Sequence, residues 1–209
     1  FLTLWGLLIF HGLVVYPLLL RSFTRLRAGP LLRKMRPVWA FAFSTASSGA
    51  TLPVTLRTVE KKLGVPKSVA GFSVPLGATV NMDGTAIMQG VATVFIAQVY
   101  GIDLTVMQLV MVILTATLAS IGTAAVPGVG LITLSLVLTQ AGLPTEGVAL
   151  IIGVDRLLDM IRTAVNVTGD AAVSTIVAYR EGQLDEQIYN DPNADNQDSD
   201  NAVTAEVTG

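Results

Sequence analysis

Long apolar runs, each interrupted by a short cluster of small or polar residues, set the pattern of this chain. Residues 1–20 are apolar over about the 20 residues that a helix needs to cross a bilayer, with Trp5 and Tyr16 placed as interface anchors. His11 and Pro17 lie inside that run; His11 has no second ligand candidate at helical spacing and is given no role. A second run, 37–56, carries Ser, Thr, Gly and Pro at its centre, so a helix is expected to break there, with a tip at 47–53. A third, 69–98, is interrupted by Asn81, Met82, Asp83, Gly84 and Thr85. A fourth, 104–138, exceeds one straight crossing and breaks at 120–130. Last comes a polar stripe: Asp155, Asp159, Arg162, Thr163, Asn166 and Asp170 recur every three or four positions and share one helix face, with apolar sequence before and after.

Composition changes the reading of that stripe from a water-facing helix side to groups held at membrane depth. The chain of 209 residues is 52% hydrophobic and 13% charged, against about 25% charged in ordinary soluble domains. Ionisable groups at membrane depth are costly and mark an ion or substrate path. The net charge of -2 hides an uneven distribution. Basic residues cluster at 21–36 and 57–67, none occurs from 68 to 155, and none follows Arg180. By the positive-inside rule the two basic clusters are cytoplasmic, which outweighs nucleic-acid binding as their explanation. Residues 181–209 are acidic and poor in large apolar groups, and are expected to form a disordered cytoplasmic tail. Absence of cysteine excludes disulfides and thiolate metal sites. Phe1 is already apolar with no basic segment before it, so no signal peptide is expected and the chain is expected to begin within a longer protein.

Flanking charge then fixes the expected architecture. A run that starts and ends beside cytoplasmic basic clusters without crossing is a re-entrant hairpin, here 37–67; the hairpin at 104–140, with no Lys or Arg beside it, enters from the other side. The predicted fold is an all-α integral membrane protein with an inverted-repeat transporter core: two re-entrant helical hairpins, the broken helix 68–98 and the polar helix 145–179. Residues 1–28 form a preceding transmembrane helix and the start of the basic connector, and 29–180 the transport core. Carbonyls freed at the 81–85 break suit a hard cation such as Na+.

These residues, in this order and spacing, resemble the glutamate transporter family, the dicarboxylate/amino acid:cation symporters. Asn81 to Thr85 look like its unwound signature in the seventh transmembrane helix, and the Asp159 to Asp170 stripe is similar to its eighth. The two tips are similar as well, from about residue 1, which looks like the sixth helix, to 179. The resemblance covers the C-terminal half of a longer protein. It implies a sodium-coupled symporter for L-aspartate or L-glutamate, located in the inner or plasma membrane, working by alternating access and assembled as a homotrimer through a scaffold outside this chain.

The resemblance also implies roles. Arg162 would hold the substrate's side-chain carboxylate and Asp159 its amino group, while Thr85, Thr163 and Asn166 complete the contacts and Ser48 and Gly130 close over the ligand. One sodium ion would lie among Gly77, Asn81, Asn166 and Asp170. A second would use Thr79, Ser120, Ile121 and Thr123, and a third Asn81 and Asp83 with partners from a helix outside this chain. Proton-driven relatives have Asn where this chain has Asp170, which favours sodium. The chain departs from the pattern in lacking a further arginine near Asp159, carrying Ala46 and Met160 at the two usual places. Arg156 could pair with Asp159 at helical spacing or face outward. The competing functions are a proton-coupled dicarboxylate symporter, an ion channel, and an intramembrane aspartyl protease, whose Gly-x-Gly-Asp motif this sequence lacks.

Overall fold

A computed structural model describes residues 1–194. They are helical throughout, with no strand among them. Helix α1 (Leu2–Phe10) runs through a π-helical turn (His11–Val15) into α2 (Tyr16–Phe23). Pro17 lacks an N–H and its ring crowds the preceding turn, which accounts for the local widening. Leu2–Phe23 is the one helix among the described residues long and apolar enough to cross a membrane by length and composition. Basic α3 (Ala28–Lys34) leads into α4 (Arg36–Thr45) and α5 (Ser48–Lys61), which pack together. Next come α6 (Lys67–Val80) and α7 (Asp83–Val99), then the packed pair α8 (Val106–Ser120) and α9 (Val129–Ala141). A 3-10 turn (Thr145–Val148) opens α10 (Ala149–Arg180), and α11 (Glu186–Asn190) closes the described chain.

Helix α10, 32 residues long, is the axis. It contains no proline and packs on α1, α2, α4, α5, α6 and α7. Its first half is one-sided, with Asp155, Leu158, Asp159 and Arg162 buried and Ile152, Val154 and Leu157 exposed; from Val165 to Ala172 every residue is buried. Helices α8 and α9 instead rest on each other and on α7. Two large anchors, Tyr16 and Met88, sit fully in the core near the polar stripe.

Three expectations shift. The first break is Ala46 and Ser47, not 47–53: Ala46 takes a left-handed conformation with φ 51°, Ser47 caps α5 by accepting from the Ala50 N–H at 3.1 Å, and Pro53 lies inside the helix. Proline there, at the sixth residue of α5, gives up one backbone hydrogen bond and crowds the Gly49 carbonyl, yet does not end the helix. The third run is unwound only at Asn81 and Met82; Asp83, Gly84 and Thr85 form the first turn of α7. Finally, the segment expected to be a disordered tail, 181–209, contains a folded helix, α11, with Tyr189 fully buried. The rest of that tail, 195–209, lies outside the described residues.

Candidate functional site

Arg162 is the most deeply enclosed charged group of α10, 1% exposed. Its Nη2 lies 2.8 Å from Asp159 Oδ1 and its Nη1 3.2 Å from Asp155 Oδ1. The second contact is an ion pair by distance but lacks hydrogen-bond alignment, leaving Arg162 Nη1 and Nε and Asp155 Oδ1 without a hydrogen-bond partner. A guanidinium has five donors, and the fold leaves part of them unused. The other Asp159 oxygen accepts the Gly128 N–H at 2.9 Å, which ties the loop between α8 and α9 to the stripe. Gly130 presses on the same guanidinium: a Cβ there would come within 2.9 Å of Nη1, so a larger residue would displace the guanidinium.

Asn166, one turn along, organises the break between α6 and α7. Its side-chain oxygen accepts the Gly84 N–H at 2.8 Å, satisfying one of the donors that the first turn of a helix leaves open. Its amide nitrogen lies 3.3 Å from Met82 Sδ and 3.5 Å from Thr85 Oγ1, and its backbone carbonyl accepts from Asn81 Nδ2 at 3.1 Å. The same Asn81 nitrogen donates to Asp170 Oδ1 at 3.0 Å. Asp170 meets Gly77 so closely that a Cβ on Gly77 would stand 2.5 Å from its carboxylate, and the Gly77 carbonyl accepts the Asn81 N–H at 2.7 Å. Asp170 is buried to 2% yet borders a groove of about 450 Å³ between α6 and α10, lined also by Ser73, Gly77 and Asn81. A larger cavity of about 780 Å³, between α1, α7, α8 and α10, has no charged lining residue.

The two broken tips meet. Ala125, in the loop between α8 and α9, accepts Ser47 Oγ–H at 2.7 Å and the Gly49 N–H at 3.0 Å, with buried Ser48 between them. The start of that loop docks on the end of α6 through Gly122 N–H donating to the Thr79 carbonyl at 2.8 Å, and the Thr123 N–H donates to the Ser120 carbonyl. Ile121, beside them, is exposed, while Ser120 and Thr123 are buried. Thr163 is buried next to Arg162.

The expected site residues thus fall into connected groups. Asp159, Arg162, Gly130 and Gly128 form one, with Thr163 beside it; Gly77, Asn81, Asn166, Asp170, Gly84 and Thr85 form a second. Thr79, Ser120 and Thr123 stand at the docked loop, with Ile121 between. Asp83 departs from expectation. Its Oδ2 lies 3.2 Å from His11 Nε2 and accepts Tyr16 Oη–H at 3.1 Å, so its side-chain partners are on the first helix of this chain. His11 therefore has a place after all, and Tyr16 is more than an interface anchor. Spacing along one helix could not reveal a pairing across 72 residues. Arg156 does not pair with Asp159; it is exposed and donates to the Ser44 carbonyl at 3.3 Å, while Asp159 is paired by Arg162. Asp155 was visible in the stripe, but its contact with Arg162 was not.

Residues 1–180 match the family described as "Sodium:dicarboxylate symporter family". The chain is similar to the excitatory amino acid transporter of Caenorhabditis elegans, 49% identical over 176 residues, which is 84% of this chain and 35% of the relative. It is similar to the human excitatory amino acid transporter 2, 49% identical over 172 residues, 82% of this chain and 30% of the relative. It is also similar to the mouse excitatory amino acid transporter 3, 50% identical over 167 residues, 80% of this chain and 32% of the relative. The chain spans about a third of the length of the curated relatives it matches.

Proposed function

We propose, from the premise that this chain belongs to the sodium:dicarboxylate symporter family, that it is the ligand-binding part of a sodium-coupled membrane symporter for acidic amino acids. The observation that carries the reading is Arg162: a guanidinium buried in the middle of the fold, anchored on one edge by Asp159 and with donors to spare. Planar guanidinium donors match a carboxylate in two parallel hydrogen bonds, and such charge-assisted pairs are the strong ones. A carboxylate arriving at the guanidinium would take a donor, Nη1 or Nε, that the protein leaves without a hydrogen-bond partner. Asp159, next to it, accepts an ammonium group. Any amino acid brings both groups; the dicarboxylate of the family's description and the amino acid of the relatives' names together narrow the ligand to aspartate or glutamate. Thr163 and Thr85 supply hydroxyls and Asn166 an amide; Ser48 and Gly130 cover the ligand from the two tips.

Sodium coupling rests on the second group. Along α10, the carboxylates of Asp155, Asp159 and Asp170 are buried with a single guanidinium, and buried unpaired charge is prohibitive without a counterion. In the family's first position the ligands beside the Asp170 carboxylate would be the backbone carbonyls of Gly77, Asn81 and Asn166, an all-oxygen set that suits a hard cation. In the family's second position, Thr79, Ser120, Ile121 and Thr123 would bring carbonyls from a docked loop; in its third, Asp83 and Asn81 would act with His11 and Tyr16 nearby. The pairs α4–α5 and α8–α9 are the re-entrant hairpins of an inverted repeat, and α8–α9, which rests mainly on α7, is the outer gate. Ion and substrate are coupled because the α8–α9 loop touches both the Asp159 side and the end of α6. The homotrimer, the lipid contacts and the cytoplasmic side of the C-terminus belong to this proposal. The family and the relatives are transporters, which sets the protease reading aside.

Equilibrium binding of L-aspartate to the full-length protein tests it. Sodium should raise affinity, and Arg162→Ala should remove binding; sodium-independent binding, or binding that survives Arg162→Ala, overturns the assignment.

A further inference from the structure

The family match ends at residue 180, and the described chain then turns back on itself. Asp185 N–H donates to the Gly64 carbonyl at 2.9 Å, in the connector between α5 and α6, and Asp185 caps α11 by accepting from the N–H groups of Gln187 and Ile188. Tyr189 is fully buried and its hydroxyl donates to the Arg27 carbonyl at 2.8 Å, just before α3. Between these contacts stands Lys34, at the end of α3 and only 5% exposed. Its Nζ donates to three carbonyls: Lys62 at 2.7 Å, Ile188 at 2.6 Å and Tyr189 at 2.8 Å. An ammonium has three N–H donors and three acceptors meet them, so the group is fully satisfied where it is buried. Burial and, secondarily, the nearby Arg33 lower Lys34 to about 8, leaving it protonated at neutral pH.

We propose that residues 185–190 are a clasp: with Lys34 as its pin, they fasten the entrance of α3 and the connector after α5 to each other, and so hold the base of the α4–α5 pair closed. Each strut is a separate contact from one short segment to a different connector, and removing the pin would take away the one ammonium that three carbonyls share, leaving Ile188 only a long bond from the Asp191 N–H. The base of the other pair, α8–α9, is tied within itself, Gln108 Nε2 donating to the Ala141 carbonyl at 3.2 Å. The two pairs therefore differ at their bases, one fastened through the C-terminal segment and the other by a bond between its own two helices.

Hydrogen exchange on the full-length protein in lipid nanodiscs tests the clasp. Lys34→Met keeps most of the apolar stem and removes the pin. It should speed exchange about tenfold or more in 184–191 and also in 26–34 and 62–66, with 149–180 unchanged. A milder variant, Tyr189→Phe, deletes one hydroxyl and should speed exchange in 26–28 and 186–191 while leaving the protein folded. Acceleration confined to 184–191 in Lys34→Met would make the segment a passenger and overturn the proposal. So would acceleration that spreads through α10, which would make Lys34 a general core residue. The readout is independent of uptake, so a protein that failed to transport aspartate would still report on the clasp.

Discussion

Arg162 and Arg156 lie six positions apart on one helix and show how burial alone separates two arginines. Arg162 is enclosed with two carboxylates; breaking such a buried pair costs about 3–5 kcal/mol because a charge is left uncompensated. Arg156 is exposed, and its hydrogen bond to the Ser44 carbonyl is long, at 3.3 Å. Arg156→Ala should therefore change thermal stability by less than about 1 kcal/mol and leave aspartate affinity within about threefold, read from denaturation and binding curves. A larger loss of affinity would restore Arg156 as a partner of the stripe. Asp170 is the corresponding residue for the ion. Asp170→Asn keeps the shape and an oxygen but removes the charge, and should raise half-saturating sodium about tenfold or more in a titration of aspartate binding. An unchanged titration would remove Asp170 from the ion site.

At the scale of elements, what could be read in the sequence was the existence of the breaks, and what could not was their register. Gly, Pro and hydroxyl residues marked both tips and the centre of the 69–98 run, since those residues disfavour continuous helix. The first break nevertheless sits at Ala46 and Ser47, because Ser47 captures the Ala50 N–H and starts α5 before Pro53 can end it. The unwound turn shrinks to Asn81 and Met82 because Asn166, 82 positions away from Gly84, caps α7 from outside. Such capping from another helix has no local signal. The stripe on α10 was legible as a face, while the pairing of His11 and Tyr16 with Asp83 was not, for the same reason. The tip between α8 and α9 offers a direct check. Gly130→Ala places a methyl against Arg162 Nη1 and should lower aspartate affinity at least about tenfold in equilibrium binding, while circular dichroism shows the helices intact. Unchanged affinity would mean that α9 does not lie against the guanidinium when ligand is bound.

The whole molecule reads as a frame around a charged axis. Helix α10 is held on most sides by α1, α2, α4, α5, α6 and α7, and the pair α8–α9 reaches it through its loop and Gly130. Under the proposed function that asymmetry makes the first pair the firm wall and α8–α9 the one that moves, around carboxylates that outnumber the single buried guanidinium of α10. The all-helical class was recoverable from the apolar runs, and the family match over residues 1–180 agrees with the transporter class read from the sequence. The folded segment after 180 was hidden by its acidic composition, since its order comes from Lys34 and Tyr189 rather than from apolar content. The central claim is that the buried guanidinium and the carboxylates of α10 bind an acidic amino acid together with sodium and carry both across a membrane. Uptake of radiolabelled L-aspartate into vesicles holding the full-length protein, with sodium, potassium and proton gradients imposed one at a time, tests it most directly. The account predicts accumulation against the aspartate gradient only under an inward sodium gradient, and none for Arg162→Ala; accumulation driven by a proton gradient without sodium, or no accumulation under any gradient, would contradict it.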